Sequence, residues 1–311
     1  MSDIPMDNEL NDQLKKLSEK YASMGQDLSS YLDGLLYKDY LTYWDYIHLD
    51  TLLSLQNPIT AFPDEKIFIL YHQITELYFK LILNELDQAI YDDPVDEKIF
   101  HKRIHRCTRY FNHLVDSFDV MIDGMDTEQF LKFRMSLLPA SGFQSGQYRT
   151  IEISCTDFNR LTRKPSENDN LSLEDIYEQL YWKSGATELA TGKKTLTRRQ
   201  FELKYRDIFI RRAEDLKNRN IRQIYLTNYK GSEEIENVLR ELDHLANVSW
   251  PLVHMRSASR YLQRDPDVIK ATGGTNWQKY LPPKNRFIQY YPELWKEDEI
   301  QNWGRKLKLN D

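Results

Sequence analysis

DEKIFILYHQITELYFKLILNELD, residues 64–87, is the stretch whose reading decides the fold. Its apolar residues recur every three or four positions and never alternate with period two, so it reads as a helix and not as a strand. Phe68, Thr75, Glu76 and Phe79 share one helical face with His72. Pro63 ahead of Asp64 and Glu65 suits a first turn, where a missing amide costs nothing and acids meet the positive end of the helix dipole. The spacing predicts one helix to about Asp92, about 45 Å long at 1.5 Å per residue. A helix of that length needs partners to cover its apolar face.

The same period runs through most of the 311 residues. Leu10, Leu14, Leu17, Tyr21 and Met24 predict an amphipathic helix over 7–34, and a short element covers 49–56. DPVDEKIF opens a helix that continues to about Met121. Asp126 with Gln129 three residues on reads as a capping box before a short helix carrying Phe130, Phe133, Arg134 and Leu137. A small helix is expected at 172–183 and long ones at 196–217 and 233–264, the last kinked or restarted at Pro251. The expectation is an all-α fold: one helical domain over 1–311, with a helical extension at 1–40. Residues 156–195 are the most polar and least patterned, and are expected to form a small, partly exposed helical insertion.

Composition narrows the function. Hydrophobic residues make up 41% and charged residues 29%, as in a soluble globular protein. The net charge of -6, from 42 basic and 48 acidic residues, argues against a nucleic-acid binder that works through phosphate contacts. The longest purely apolar run, Ile67 to Tyr71, is too short to span a bilayer, so no membrane association is expected. MSDIPMDNEL has neither a basic nor an apolar segment of the signal-peptide kind. Cys107 and Cys155 lack CxxC spacing, which fits reduced thiols in a cytoplasmic protein.

Seven histidines carry the sharpest chemistry. His48, His101, His105, His113 and His244 sit among charged residues and read as surface groups, whereas His72 and His254 lie on apolar faces. Alone, either is a core imidazole with a hydrogen-bonded partner. Together, far apart in sequence, they suit a cofactor held between facing helices. One metal reading is heme iron on a single imidazole with a second histidine nearby. The other is a di-iron site built on ELDH (Glu241 to His244), for which DYIH (Asp45 to His48) is only a near match.

Arg134, one turn after Phe130, is either a surface cation or a fork for a substrate carboxylate. LLPASGFQSGQYRTIE (137–152) is either a connector or a loop built to approach something small and polar. Thr272-Gly273-Gly274-Thr275 offers hydroxyls and accessible amides, or simply turns the chain.

YWDYIHLDTLLSLQ (43–56), residues 64–87, FLKFRMSLLPASGFQSGQYRTIE (130–152) and ATGGTNWQKYL (271–281) together resemble tryptophan 2,3-dioxygenase from about Tyr43 to Trp295, excluding much of 156–230. The resemblance implies an all-α homotetramer with one heme b per subunit, using O2 to cleave the indole C2–C3 bond of L-tryptophan to N-formylkynurenine. It implies that His254 is the iron ligand and that His72 accepts the indole N–H. By the same carry-over Arg134 grips the substrate carboxylate and Thr272 binds its amino-acid end, beside a heme propionate. Phe68, Phe130, Ser141 and Gly142 would line the pocket, and Tyr43, Tyr46 and Ile47 would reach into a neighbouring subunit's site.

Three features depart from the family pattern: the loop Ala271–Trp277, a longer stretch from His254 to Thr272 around Asp265-Pro266-Asp267, and Val253 where a basic residue is common. They keep open a heme-dependent monooxygenase of the same scaffold acting on a substituted indole or aromatic amino acid. A helical binding module without heme is the non-enzymatic alternative.

Overall fold

The computed structural model describes residues 8–36, 42–92, 96–137, 144–163, 171–187, 193–262 and 288–304. Among them it is all-α, with extended pairing confined to two isolated bridges, Thr162 with Leu180 and Thr187 with Lys194. Two compact units result, Met1–Gln56 and Asn57–Asp311.

In the first unit, α1 (Asn8–Ser23) and α2 (Leu28–Leu36) replace the single helix predicted over 7–34. Gly25 makes the break: its φ of 69° lies in the left-handed region that glycine enters without a Cβ clash. The Asp27 carboxylate then accepts from the Ser29 and Ser30 amides and starts α2. Thr42 caps α3 (Tyr43–Tyr46), and α4 (Leu49–Leu53) is shorter than predicted.

In the second unit, α5 (Asp64–Tyr91) fulfils the reading of its sequence and packs along α6 (Glu97–Ser117), whose first amides Asp96 caps. The helix expected to reach Met121 stops at Phe118, and a separate turn, α7 (Asp119–Ile122), follows. Asp126 caps α8 (Thr127–Phe133) through the Gln129 amide at 2.9 Å. The rest of the expected capping box does not close on itself. Instead the Asp64 amide donates to the Gln129 side chain (3.3 Å), and the Asp126 amide donates to the Asp64 carboxylate (2.5 Å). The first turns of α5 and α8 thus satisfy each other's orphan donors, which fixes Phe130 beside Phe68.

The chain continues through α9 (Gly146–Cys155), α10 (Leu173–Glu178), α11 (Leu196–Asp215), α12 (Ile221–Ile224), α13 (Glu233–His244), α14 (Trp250–Leu262) and α15 (Glu297–Gln301). Ile82 and Leu86 of α5, Ile104, Phe111 and Leu114 of α6, and Leu239 and Leu242 of α13 are fully buried. Each is worth roughly 1.5–3 kcal/mol of transfer energy. A π-helical turn, Leu245–Ser249, joins α13 to α14, so the irregularity expected at Pro251 falls one turn earlier.

The described part of 156–195 is more buried than its polarity predicts. Phe158, Leu161, Tyr177 and Trp182 are buried, and this segment packs on α9 and α11. Its charges are neutralised locally: Lys183 lies 3.2 Å from Glu178 and 3.3 Å from Glu202, and over the Tyr177 ring. Polar residues that pair with one another can be taken out of water, and a hydropathy pattern does not register the pairing. Among the described residues, no helix is long and apolar enough to cross a membrane.

Candidate active site

His72 lies about a third of the way along α5, and its Nδ1 is 2.7 Å from the Phe68 carbonyl one turn back. Donating there places the lone pair on Nε2. The Phe68 ring packs against the imidazole at 4.0 Å. His72 has accessible surface, yet desolvation by surrounding protein lowers its pKa and outweighs the opposing effects of the Phe68 carbonyl and Glu76. It is open to solvent on one side and crowded by protein on the others.

His254 repeats the arrangement on α14. Its Nδ1 donates to the Trp250 carbonyl at 2.9 Å, again one turn back, and the rings of Trp250 (4.4 Å) and Phe118 (4.5 Å) flank it. Phe118 also meets Tyr71 edge-on at 5.6 Å, and Tyr71 meets His72 at 6.5 Å. A chain of aromatic rings therefore connects the two imidazoles. On another side, Phe130 of α8 lies 6.4 Å from Phe68 and 4.5 Å from Tyr261 of α14. Arg134, at the end of α8, is only 5% exposed, and burial lowers its pKa.

An imidazole whose Nδ1–H is held by a backbone carbonyl is oriented and more basic at Nε2, the arrangement found in metal-ligating histidines. His254, with flat aromatic side chains around it, fits a heme. Among the described residues there is no group of three His, Cys, Asp or Glu side chains able to hold a metal ion, so the di-iron reading of ELDH finds no cluster to support it. Within that motif Glu241 accepts from Asn112, and Asp243 accepts from the Tyr290 and Tyr291 amides, the Trp295 indole and Asn247.

Tyr43, Tyr46 and Ile47 belong to the first unit, where Tyr43 and Tyr46 are 70% and 74% exposed. Ser141, Gly142 and Thr272, together with the Ala271–Trp277 loop, lie outside the described residues.

The sequence pattern of the tryptophan 2,3-dioxygenase family matches residues 34–266. The chain belongs to that family. It is an oxidoreductase of the tryptophan 2,3-dioxygenase type, a family of heme-dependent enzymes. A tryptophan 2,3-dioxygenase of Bacillus thuringiensis subsp. konkukian is 28% identical over 278 residues, covering 83% of this chain and 92% of that one. The enzyme of Polaromonas naphthalenivorans is 28% identical, covering 82% and 90%, and that of Exiguobacterium sibiricum 29%, covering 83% and 92%.

Sequence reasoning missed what the first turn of α9 does in this tryptophan 2,3-dioxygenase relative. Four consecutive residues dock on four different elements. Gly146 abuts Tyr205 of α11 so closely that an added Cβ would lie 2.5 Å from its ring. Gln147 binds Glu76 of α5, and Tyr148 donates to the Ala246 carbonyl in the turn before α14. Arg149 meets the Tyr181 hydroxyl at 2.9 Å and Glu152 at 2.8 Å. Glu152 and the tyrosines around it hold the guanidinium charged, raising its pKa despite burial. The first turn of α9 is therefore fastened to the helix of His72 and to the turn that precedes the helix of His254.

Proposed function

We propose that this chain binds heme b through His254 and cleaves the indole C2–C3 bond of L-tryptophan with O2, giving N-formylkynurenine. The observation that carries the reading is the matched pair of imidazoles. His72 and His254 lie on different helices, each with Nδ1 donated to the carbonyl four residues earlier, and both border one aromatic corner.

Heme, when bound, supplies the O2 chemistry. The side chains supply position. His72 Nε2 is the acceptor for the indole N–H, and the lowered pKa of this imidazole keeps the acceptor neutral. Phe68 and Phe130 offer apolar walls to a flat ring. Arg134 matches the two oxygens of an amino-acid carboxylate, and a carboxylate balances the cost of a guanidinium held out of water. Ser141, Gly142 and Thr272 complete the pocket in this reading, with Thr272 at the amino-acid end.

The same reading makes the active protein a homotetramer in which Tyr43, Tyr46 and Ile47 reach a neighbour's pocket. Leu70, Ile74, Leu77 and Leu81 support an assembly: they form an exposed apolar seam along α5 at the four-three-four spacing that helices bury against one another.

The deciding experiment is to reduce the heme-loaded protein without oxygen, add L-tryptophan and then O2, and weigh the product. Gain of two oxygen atoms is the expected result. Gain of one would replace the dioxygenase with a monooxygenase.

A further inference from the structure

The helix that carries His254 begins with an irregularity that its own backbone cannot satisfy. The Trp250 amide donates to the Leu245 carbonyl, five residues back, in the π register. Ala246 supplies the next carbonyl. Its α-register donor would be Trp250, already used, and its π-register donor would be Pro251, which has no amide hydrogen. Ala246 is fully buried, so bulk water does not reach it either. A buried carbonyl without a donor is costly, and the structure supplies one from elsewhere: Tyr148 Oη–H donates to Ala246 O at 2.8 Å.

Tyr148 is well placed to hold this bond. It is buried, its ring packs against Phe79 at 5.3 Å, and its amide is capped by Ser145 Oγ at 3.1 Å. The bond has a consequence downstream. A π turn adds one residue to the helix, which rotates everything after it by about 100° relative to an uninterrupted α-helix. Trp250, whose carbonyl holds His254 Nδ1, and His254 itself both follow that turn.

We propose that Tyr148 is a positioning residue for His254, its phenol hydrogen standing in for the amide hydrogen that Pro251 lacks. The inference rests on the reading of His254 as the iron ligand. Tyr148 keeps the π turn in register and thereby sets the direction in which the imidazole presents Nε2. Because its amide is capped by Ser145, the same residue ties the start of α9 to the turn that precedes the ligand's helix.

The test compares the full-length chain with Tyr148→Phe and with Tyr148→Phe/Pro251→Ala, in which residue 251 regains an amide donor. Amide hydrogen exchange on ligand-free protein reports the turn, and the iron–histidine stretching band of the ferrous heme-loaded protein reports the imidazole. Tyr148→Phe is expected to speed exchange over 248–254 by roughly 5- to 100-fold. It is also expected to shift or broaden the iron–histidine band, and the added Pro251→Ala to move both toward the wild-type values. Exchange that is unchanged, or that quickens while the band stays identical to wild type, overturns the positioning role alone. A wild-type protein that binds heme without an iron–histidine band, or His254→Ala retaining that band, overturns the iron-ligand reading and this proposal with it.

Discussion

The side-chain amide of Gln147 donates to both the backbone carbonyl and the carboxylate of Glu76, at 2.8 Å each, and Glu76 lies one helical turn beyond His72. Its charge favours the protonated imidazole, against the larger effect of desolvation by the surrounding protein. Glu76→Gln removes that support, so the His72 pKa falls further and the acid limb of kcat/KM moves to lower pH. In the wild type, folding depresses the His72 pKa below 6.5. Below 6.5 the unfolded chain takes up a proton that the folded chain refuses, so the stability contributed here declines as pH falls through 6.5 and levels off below the folded pKa. Glu76→Gln makes that acid loss larger. An acid limb that stays put or moves to higher pH in the variant would dismiss the coupling.

His254→Ala removes the one side-chain bond to iron that the reading allows. The Trp250 and Phe118 rings remain but offer no ligand. Heme affinity is expected to fall by at least roughly 10- to 100-fold, the loss seen when even outer-shell support of a ligand is removed. Heme content per chain and the Soret band check it; full occupancy with an unchanged spectrum rules out this histidine.

Arg134→Lys keeps the charge but loses the planar two-point fork. At 5% exposure there is little water to fill in for the missing donors. Truncating one partner of a buried charged pair costs about 2–5 kcal/mol, and the lysine variant is expected near the lower end, roughly 30-fold in KM for tryptophan. A methyl ester of the substrate, which lacks the anion, should lose most of the difference between variant and wild type. Equal discrimination by both proteins would remove Arg134 from the carboxylate.

Leu77→Asp places a charge in the exposed seam of α5. If another copy covers Leu70, Ile74, Leu77 and Leu81, the variant should sediment as smaller species than the wild type at the same concentration. Identical sedimentation would leave the seam without a role in assembly.

Helix periodicity made α5 legible in sequence, because a buried face repeats every three to four residues. Pro251 signalled a kink or restart without showing where it falls, and Gly25, inside the single helix expected over 7–34, gave no warning of the break it makes. The π turn before Pro251 depends on Tyr148, which is distant in sequence. What Gln147, Tyr148 and Arg149 touch follows from tertiary packing alone. The burial of Phe158, Leu161, Tyr177 and Trp182 was hidden for a similar reason, since Lys183 and Glu202 are polar in sequence and mutually neutralised in space.

Asp243 shows how such pairing can be tested. Its Oδ1 accepts from Asn247 Nδ2 (2.8 Å) and the Tyr290 amide (2.9 Å), and its Oδ2 from the Tyr291 amide (3.2 Å) and Trp295 Nε1 (2.9 Å). The carboxylate thus fastens residues 290–295 to α13. Asp243→Asn can keep one oxygen facing two of these donors but turns an NH2 toward the other two. With the site fully buried, two donors left facing a donor should cost about 2–4 kcal/mol. Burial outweighs the four donors and pushes the Asp243 carboxyl up to about 6. An unfolded aspartate titrates near 3.9, so stability from this site is fully present below that pH and is lost as pH rises through about 6. The difference in Tm between wild type and Asp243→Asn should therefore be largest near pH 4 and narrow toward pH 7. A difference that is flat with pH, or widens as pH rises, would mean that the buried carboxylate is ionised throughout and that its four donors outweigh burial.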